Sequence, residues 1–157
     1  MTFYLIRFVV TWGIWFYFAD KKRWKEIVPV CVWASALAGI ADNIVASHKL
    51  WGYNHGVDPL VPDLLDNIGI YPVVTYLFIQ YLPQVKSLKT IFWHFFKWTA
   101  LAISIEAFHV YTGHMVYGLW WNTGWSYLDD WVLYWSFYKF HKTFEFWKLN
   151  NESEGKR

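Results

Sequence analysis

Five long apolar runs lie along the chain, and the polar residues inside them gather near one end of each run. A helix that crosses a bilayer takes roughly 20 apolar residues. The first run is residues 1–19, with Arg7 its one charge. The second, 27–46, is broken late by Asp42-Asn43. The third, 64–82, opens with Asp66-Asn67 and closes at Pro83. The fourth, 90–111, carries Glu106 and His109 near its end, and the fifth, 127–147, opens with Asp129-Asp130. This pattern predicts an all-α integral membrane bundle of five transmembrane helices, residues 1–149, followed by a polar cytoplasmic tail, residues 150–157.

The charges between the runs orient the bundle. A cleaved signal peptide places its positive charge before the apolar core, whereas here Lys21, Lys22, Arg23 and Lys25 follow it, so the first run reads as a retained helix. Those four residues, with Lys86, Lys89, Lys139, Lys142, Lys148, Lys156 and Arg157, fall on one side of a five-span topology. The other side has only Lys49 in its loops. Basic residues favour the cytoplasm, which predicts an outside N-terminus and a cytoplasmic C-terminus.

Composition supports the membrane reading. The chain is 56% hydrophobic, 24% aromatic and only 17% charged, against about 25% charged in a soluble domain. Its mean hydropathy of +0.17 is lowered by 13 Trp and 11 Tyr, whose rings suit the membrane interface. Cys31 is the one cysteine, which excludes an intrachain disulfide and a cysteine-based metal cluster. The basic residues do not form an aromatic-interleaved patch, so nucleic acid is not an expected partner.

Placing the polar residues by depth puts Arg7, Asp42, Asn43, Asp66, Asn67, Glu106, His109, Asp129 and Asp130 in the outer half of the membrane. His48, His55 and His114 lie nearby. Five carboxylates there face one arginine. Charges at such depth must be hydrated, paired, protonated or bound to a cation, and intramembrane ionisable residues mark functional sites. Glu106 and His109, three residues apart, share a helix face; the spacing occurs in di-iron bundles, but one copy defines no metal site. Adjacent Asp129 and Asp130 lie about 100° apart on a helix, so one of them is expected to face the bundle. Simpler roles compete at each position. Acids in first helical turns complement the helix dipole, an arginine near a helix end can snorkel, and Trp120, Trp121 and Trp125 form an aromatic belt around a turn at Asn122-Thr123-Gly124.

Several stretches, taken in order, resemble an uncharacterised family of small multi-pass membrane proteins of spore-forming Firmicutes. They are Asp20 to Pro29, Gly39 to Asn43, Leu50-Trp51, Glu106, Trp121 to Ser126 (similar to that group's Asn-Gly-Trp-Asn signature) and His141-Lys142. Thr123-Gly124 and Asp129-Asp130 depart from the group's pattern. The resemblance implies a bacterial plasma membrane location and a multi-pass topology, and it implies no mechanism.

The function expected from these residues is binding of a cation, proton or small polar ligand in the outer polar layer, as a receptor, transport accessory or complex subunit. Its ligand-binding candidates are Glu106, His109, Arg7, Asp42, Asn43, Asp66, Asn67, Asp130, Trp121 and Asn122. The lipid bilayer is the expected partner, with a homo-oligomer or membrane partner subunit compatible with so small a bundle. The residues leave the cofactor undetermined. The alternative is an acid/base enzyme acting on an isoprenoid or lipid, with Glu106 and either Asp42 or Asp66 as the catalytic carboxylates and aromatic walls shielding a cationic intermediate. A structural scaffold is the third reading.

Overall fold

The fold was analysed in a computed structural model, which describes residues 2–53, 58, 60–85 and 87–149. His55, Lys86 and the expected tail at 150–157 lie outside the described residues. The chain is predominantly helical, in five rods. Helix α1 is Thr2–Phe18; a 3-10 turn, Lys21–Arg23, leads into α2, Trp24–His48. A short strand β1, Trp51–Tyr53, precedes a continuous rod made of α3 (Leu60–Leu65), a π-helical turn (Asp66–Ile70) and α4 (Tyr71–Gln80). Helix α5 is Leu88–Tyr111, β2 is Met115–Tyr117 and α6 is Thr123–Thr143. Each expected apolar run thus coincides with a rod. Among the described residues one helix, Lys21–His48, is long and apolar enough to cross a membrane by length and composition, and Thr2–Phe18 is a shorter apolar helix.

Helix boundaries follow from capping. Ser87 accepts a hydrogen bond from Thr90 N at 3.2 Å to start α5, and Asn122 accepts from Gly124 N at 2.9 Å to start α6, each meeting an N–H that the first turn leaves without a partner. The Asn122 cap starts α6 four residues before the apolar run that announced it, a correction to the expected start at 127, and the helix ends at Thr143 rather than at 147.

Helix α4 is the axis of the bundle. Val73, Thr75, Tyr76, Leu77, Phe78 and Ile79 are all buried, as a helix that is apolar on every face must be. It packs against α1, α2 and α6. Ile27, Val30, Cys31 and Ala34 of α2, Phe95 of α5, and Tyr134 and Phe137 of α6 complete the core cluster. Phe78 sits among Phe95, Trp98 and Tyr134, with ring centroids 4.7–6.0 Å apart, distances at which aromatic pairs attract beyond their burial.

Among the described residues the π turn is the one departure from α-helix inside the rods, and its causes can be read atom by atom. Tyr71 N–H bonds Asp66 O, one residue further back than in an α-helix. Asn67 O therefore loses the Tyr71 donor, and the next residue, Pro72, has no N–H to offer. Ser35 of α2 donates its hydroxyl to Asn67 O instead, at 2.7 Å. Gly69 in this turn is buried against α1: a Cβ there would lie 2.5 Å from Phe8 Cδ2.

Gly69→Ala is expected to lower stability by about 1–3 kcal/mol through overpacking against the Phe8 ring. In a Phe8→Ala background the same change should cost distinctly less. Thermal unfolding of the four proteins in detergent checks this, and additive losses would show that the close approach does not limit the packing.

Candidate functional site

At one end of the bundle the two loops that follow α2 and α5 pair as an antiparallel ribbon, with Trp51 opposite Tyr117, Gly52 opposite Val116 and Tyr53 opposite Met115. Gly118 N donates to Leu50 O at 2.7 Å, and a Cβ on Gly118 would lie 2.3 Å from Lys49 O. Only glycine fits that approach. Beneath the ribbon lies a cavity of about 200 Å³. Its polar lining is Arg7 from α1, Asp66 from the π turn, Thr75 from α4, Glu106 and His109 from α5, and Ser126, Asp129 and Asp130 from α6. Trp51, Tyr53, Tyr71, Trp121, Tyr134 and Phe137 supply aromatic wall.

Six of the ten candidate residues therefore come together: Glu106, His109, Arg7, Asp66, Asp130 and Trp121. The other four do not line this cavity. Asp42 sits on the α2 face turned to the third rod, where it accepts from Asn67 Nδ2 at 3.0 Å and borders a second pocket, about 390 Å³, with Lys49 and Asp63. Asn67 is turned away from the cavity by that same bond. Asn43 is exposed and donates to Gly39 O in its own helix, and Asn122 is occupied as the α6 cap. Asp129 and Asp130 both reach the cavity, against the expectation that one would. Asp129 is exposed and Asp130 half-buried.

One hydrogen-bonded chain crosses the site. Arg7 Nη2 forms an ion pair with Asp66 Oδ1, and Asp66 Oδ2 accepts from the Tyr53 hydroxyl at 3.0 Å. Burial, then Asp66 and Asp63, push the Tyr53 hydroxyl's pKa up, which keeps it a donor. Arg7 Nη1 is 2.9 Å from His109 Nε2, and His109 Nδ1 is 2.6 Å from Ile105 O. A guanidinium can only donate, so Nε2 accepts and the ring proton is assigned to Nδ1. The Arg7 guanidinium also lies 5.4 Å from the Tyr4 ring centre, within cation–π range. Glu106 accepts from the Tyr117 hydroxyl of the ribbon, and Trp121 Nε1 donates to Ser126 Oγ at 2.9 Å. Three buried polar atoms of the lining have no hydrogen-bond partner: Asp130 Oδ2, Thr75 Oγ1 and Arg7 Nε. Among the described residues no three His, Cys, Asp or Glu side chains are placed to hold a metal ion.

No protein-family description, curated protein or solved structure matches the chain. The geometry of the site is thus the basis for reading its chemistry.

The opposite end of the bundle holds a polar knot that the hydropathy pattern does not announce. Glu26 is 3% exposed; it accepts from Arg23 through both oxygens, at 2.7 and 2.9 Å, and lies 2.8 Å from His141 Nε2. Arg23 also donates to Gln80 O at 2.8 Å. Gln80 in turn bonds Asp20 N and Phe18 O. These contacts join the ends of α1, α4 and α6 to the start of α2. The three-residue spacing of Arg23 and Glu26 was the available signal, but it sat inside a basic loop that reads as an orientation marker.

Arg7→Ala is expected to cost about 3–5 kcal/mol, because it leaves Asp66 buried without its counter-charge. Adding Asp66→Asn should recover part of that loss. A double-mutant cycle measured by thermal unfolding checks the coupling, and strictly additive losses would refute it.

Proposed function

We propose that the protein is a five-span membrane protein of the bacterial plasma membrane, with the ribbon end outside, that binds a small polar or cationic ligand in the cavity beneath the ribbon. The placement of apolar and charged side chains is the observation that carries this reading. Large apolar side chains face outward on every rod, among them Val9 (67% exposed), Val32 (64%), Leu64, Phe92 and Val132 (61%), while Arg7, Asp66, Glu106 and Asp130 turn into the cavity beneath the ribbon. Soluble monomers rarely expose apolar surface on that scale. Rods of 17 to 25 residues measure about 26 to 38 Å at 1.5 Å per residue, which suits a hydrocarbon layer of about 30 Å. Aromatic residues explain why hydropathy alone singles out one helix: α5 and α6 are rich in Trp, Tyr and His, which are at home near the interface.

The described loop lysines and arginines cluster at the end with the Glu26 knot, and that end belongs in the cytoplasm by the positive-inside rule. Lys97 is the awkward residue, exposed about 14 Å into α5. It enters from the basic end and can snorkel back towards it. The enzyme reading is less well supported. Asp42 does not line the cavity, and Asp66 is committed to Arg7 and Tyr53, which leaves Glu106 without either of the carboxylates expected to work with it.

Reporter fusions test the topology. A C-terminal green fluorescent protein should fluoresce in cells, and alkaline phosphatase inserted after Tyr53 should be active. An active phosphatase at the C-terminus would overturn the orientation.

A further inference from the structure

We propose that the ligand of the cavity is a primary amine with an apolar body, its ammonium held between Asp130 and Thr75. This rests on the reading of the cavity as a binding site. Charge sets the sign of the ligand: Arg7 is taken up by Asp66 and His109, so the Glu106, Asp129 and Asp130 carboxyls face the cavity with no further Lys or Arg in its lining. A second, independent feature sets the chemistry. Thr75 is only 1% exposed, lines the cavity, and its Oγ1 has no hydrogen-bond partner. Asp130, half-buried as a residue, also lines the cavity, and its Oδ2 is buried and without a partner. Buried polar atoms without partners are costly, and both of these oxygens can accept from a single group with several N–H donors.

An ammonium has those donors; a quaternary ammonium has none, and a bare proton can serve the carboxyl but leaves the hydroxyl unmet. A metal ion is disfavoured by the lack of a converging donor set among the described residues. The rings of Tyr71 and Tyr134 border the cavity and suit a cation by their negative faces. Val74, Leu101 and Leu133 complete an apolar wall for the ligand's body. At about 200 Å³ the space is below the roughly 300–1,000 Å³ of drug-sized sites, which fits one small amine or the amine headgroup of a lipid.

The full-length protein in phosphatidylcholine nanodiscs provides the test, by thermal unfolding with 2-phenylethylamine, neutral 2-phenylethanol or benzyltrimethylammonium. The amine should raise Tm saturably and the other two should not. Asp130→Asn should weaken the apparent affinity at least tenfold. Thr75→Val, which removes an unmet hydroxyl at constant shape, should fold at least as stably as the parent and weaken affinity several-fold, so it decides the matter if the Asp130 variant misfolds. Phosphatidylethanolamine discs that raise Tm in the parent but not in the variants would assign the amine to a lipid headgroup; no effect of that lipid, with the free amine active, would assign it to a soluble molecule. Equal stabilisation by the alcohol or the quaternary compound would overturn the amine and leave the cavity as a binding site. No shift with any probe, or a shift that both variants retain, would overturn the amine and the cavity reading together.

Discussion

The ion pair between Arg7 and Asp66 is the contact on which the ribbon end depends. Each partner would be expensive alone in a bundle with apolar outer faces, because a buried charge without a counter-charge loses several kcal/mol of solvation. Placed together, they hold α1 against the π turn. The remaining donors and acceptors then extend the constraint. Arg7 reaches His109 on α5, and Asp66 reaches Tyr53 on the ribbon, so one pair fixes three helical elements and the cap over the cavity. The π turn belongs to the same arrangement: its extra residue is accommodated by Ser35 on one side and by the small Gly69 on the other.

Charged clusters collect at both ends, and the middle packs mostly apolar and aromatic side chains around Phe78, with His94 Nε2 3.0 Å from Phe78 O. The two ends differ in how completely they are satisfied. Around Glu26, Arg23, Gln80 and His141 the hydrogen bonds close into a knot that ties four helix ends together, as a structural fastening does. Beneath the ribbon, Asp130 and Thr75 keep unmet oxygens beside a void. Buried polar atoms are nearly always bonded in native proteins, and it is on the unmet atoms beside this void that the proposed ligand rests.

The helices were legible because each needs one long apolar run, but the start of α6 was not, because the Asn122 cap sets it four residues ahead of the apolar run. The meeting of Arg7, Asp66, Glu106 and His109 at one cavity was legible because charge is rare in the apolar runs and helix direction places these residues at one level. Rotation about each helix was not legible. That is why Asp42, at the expected depth, does not join the cavity, and why Thr75, an ordinary residue in an apolar run, drew no notice. The ribbon was invisible for another reason: three-residue strands such as Trp51–Tyr53 carry no usable alternation, and their pairing depends on helices far apart in sequence. Glu26 was hidden by its basic neighbours.

The account stands on outward faces that meet lipid and an interior that does not. Site-directed spin labels at Val9, Val32 and Val132, one per protein in a Cys31→Ala background reconstituted in vesicles, report this directly through their collisions with oxygen and with a water-soluble nickel chelate. High oxygen and low nickel accessibility at all three positions is the predicted result. Nickel accessibility like that of a soluble surface at these positions would contradict it.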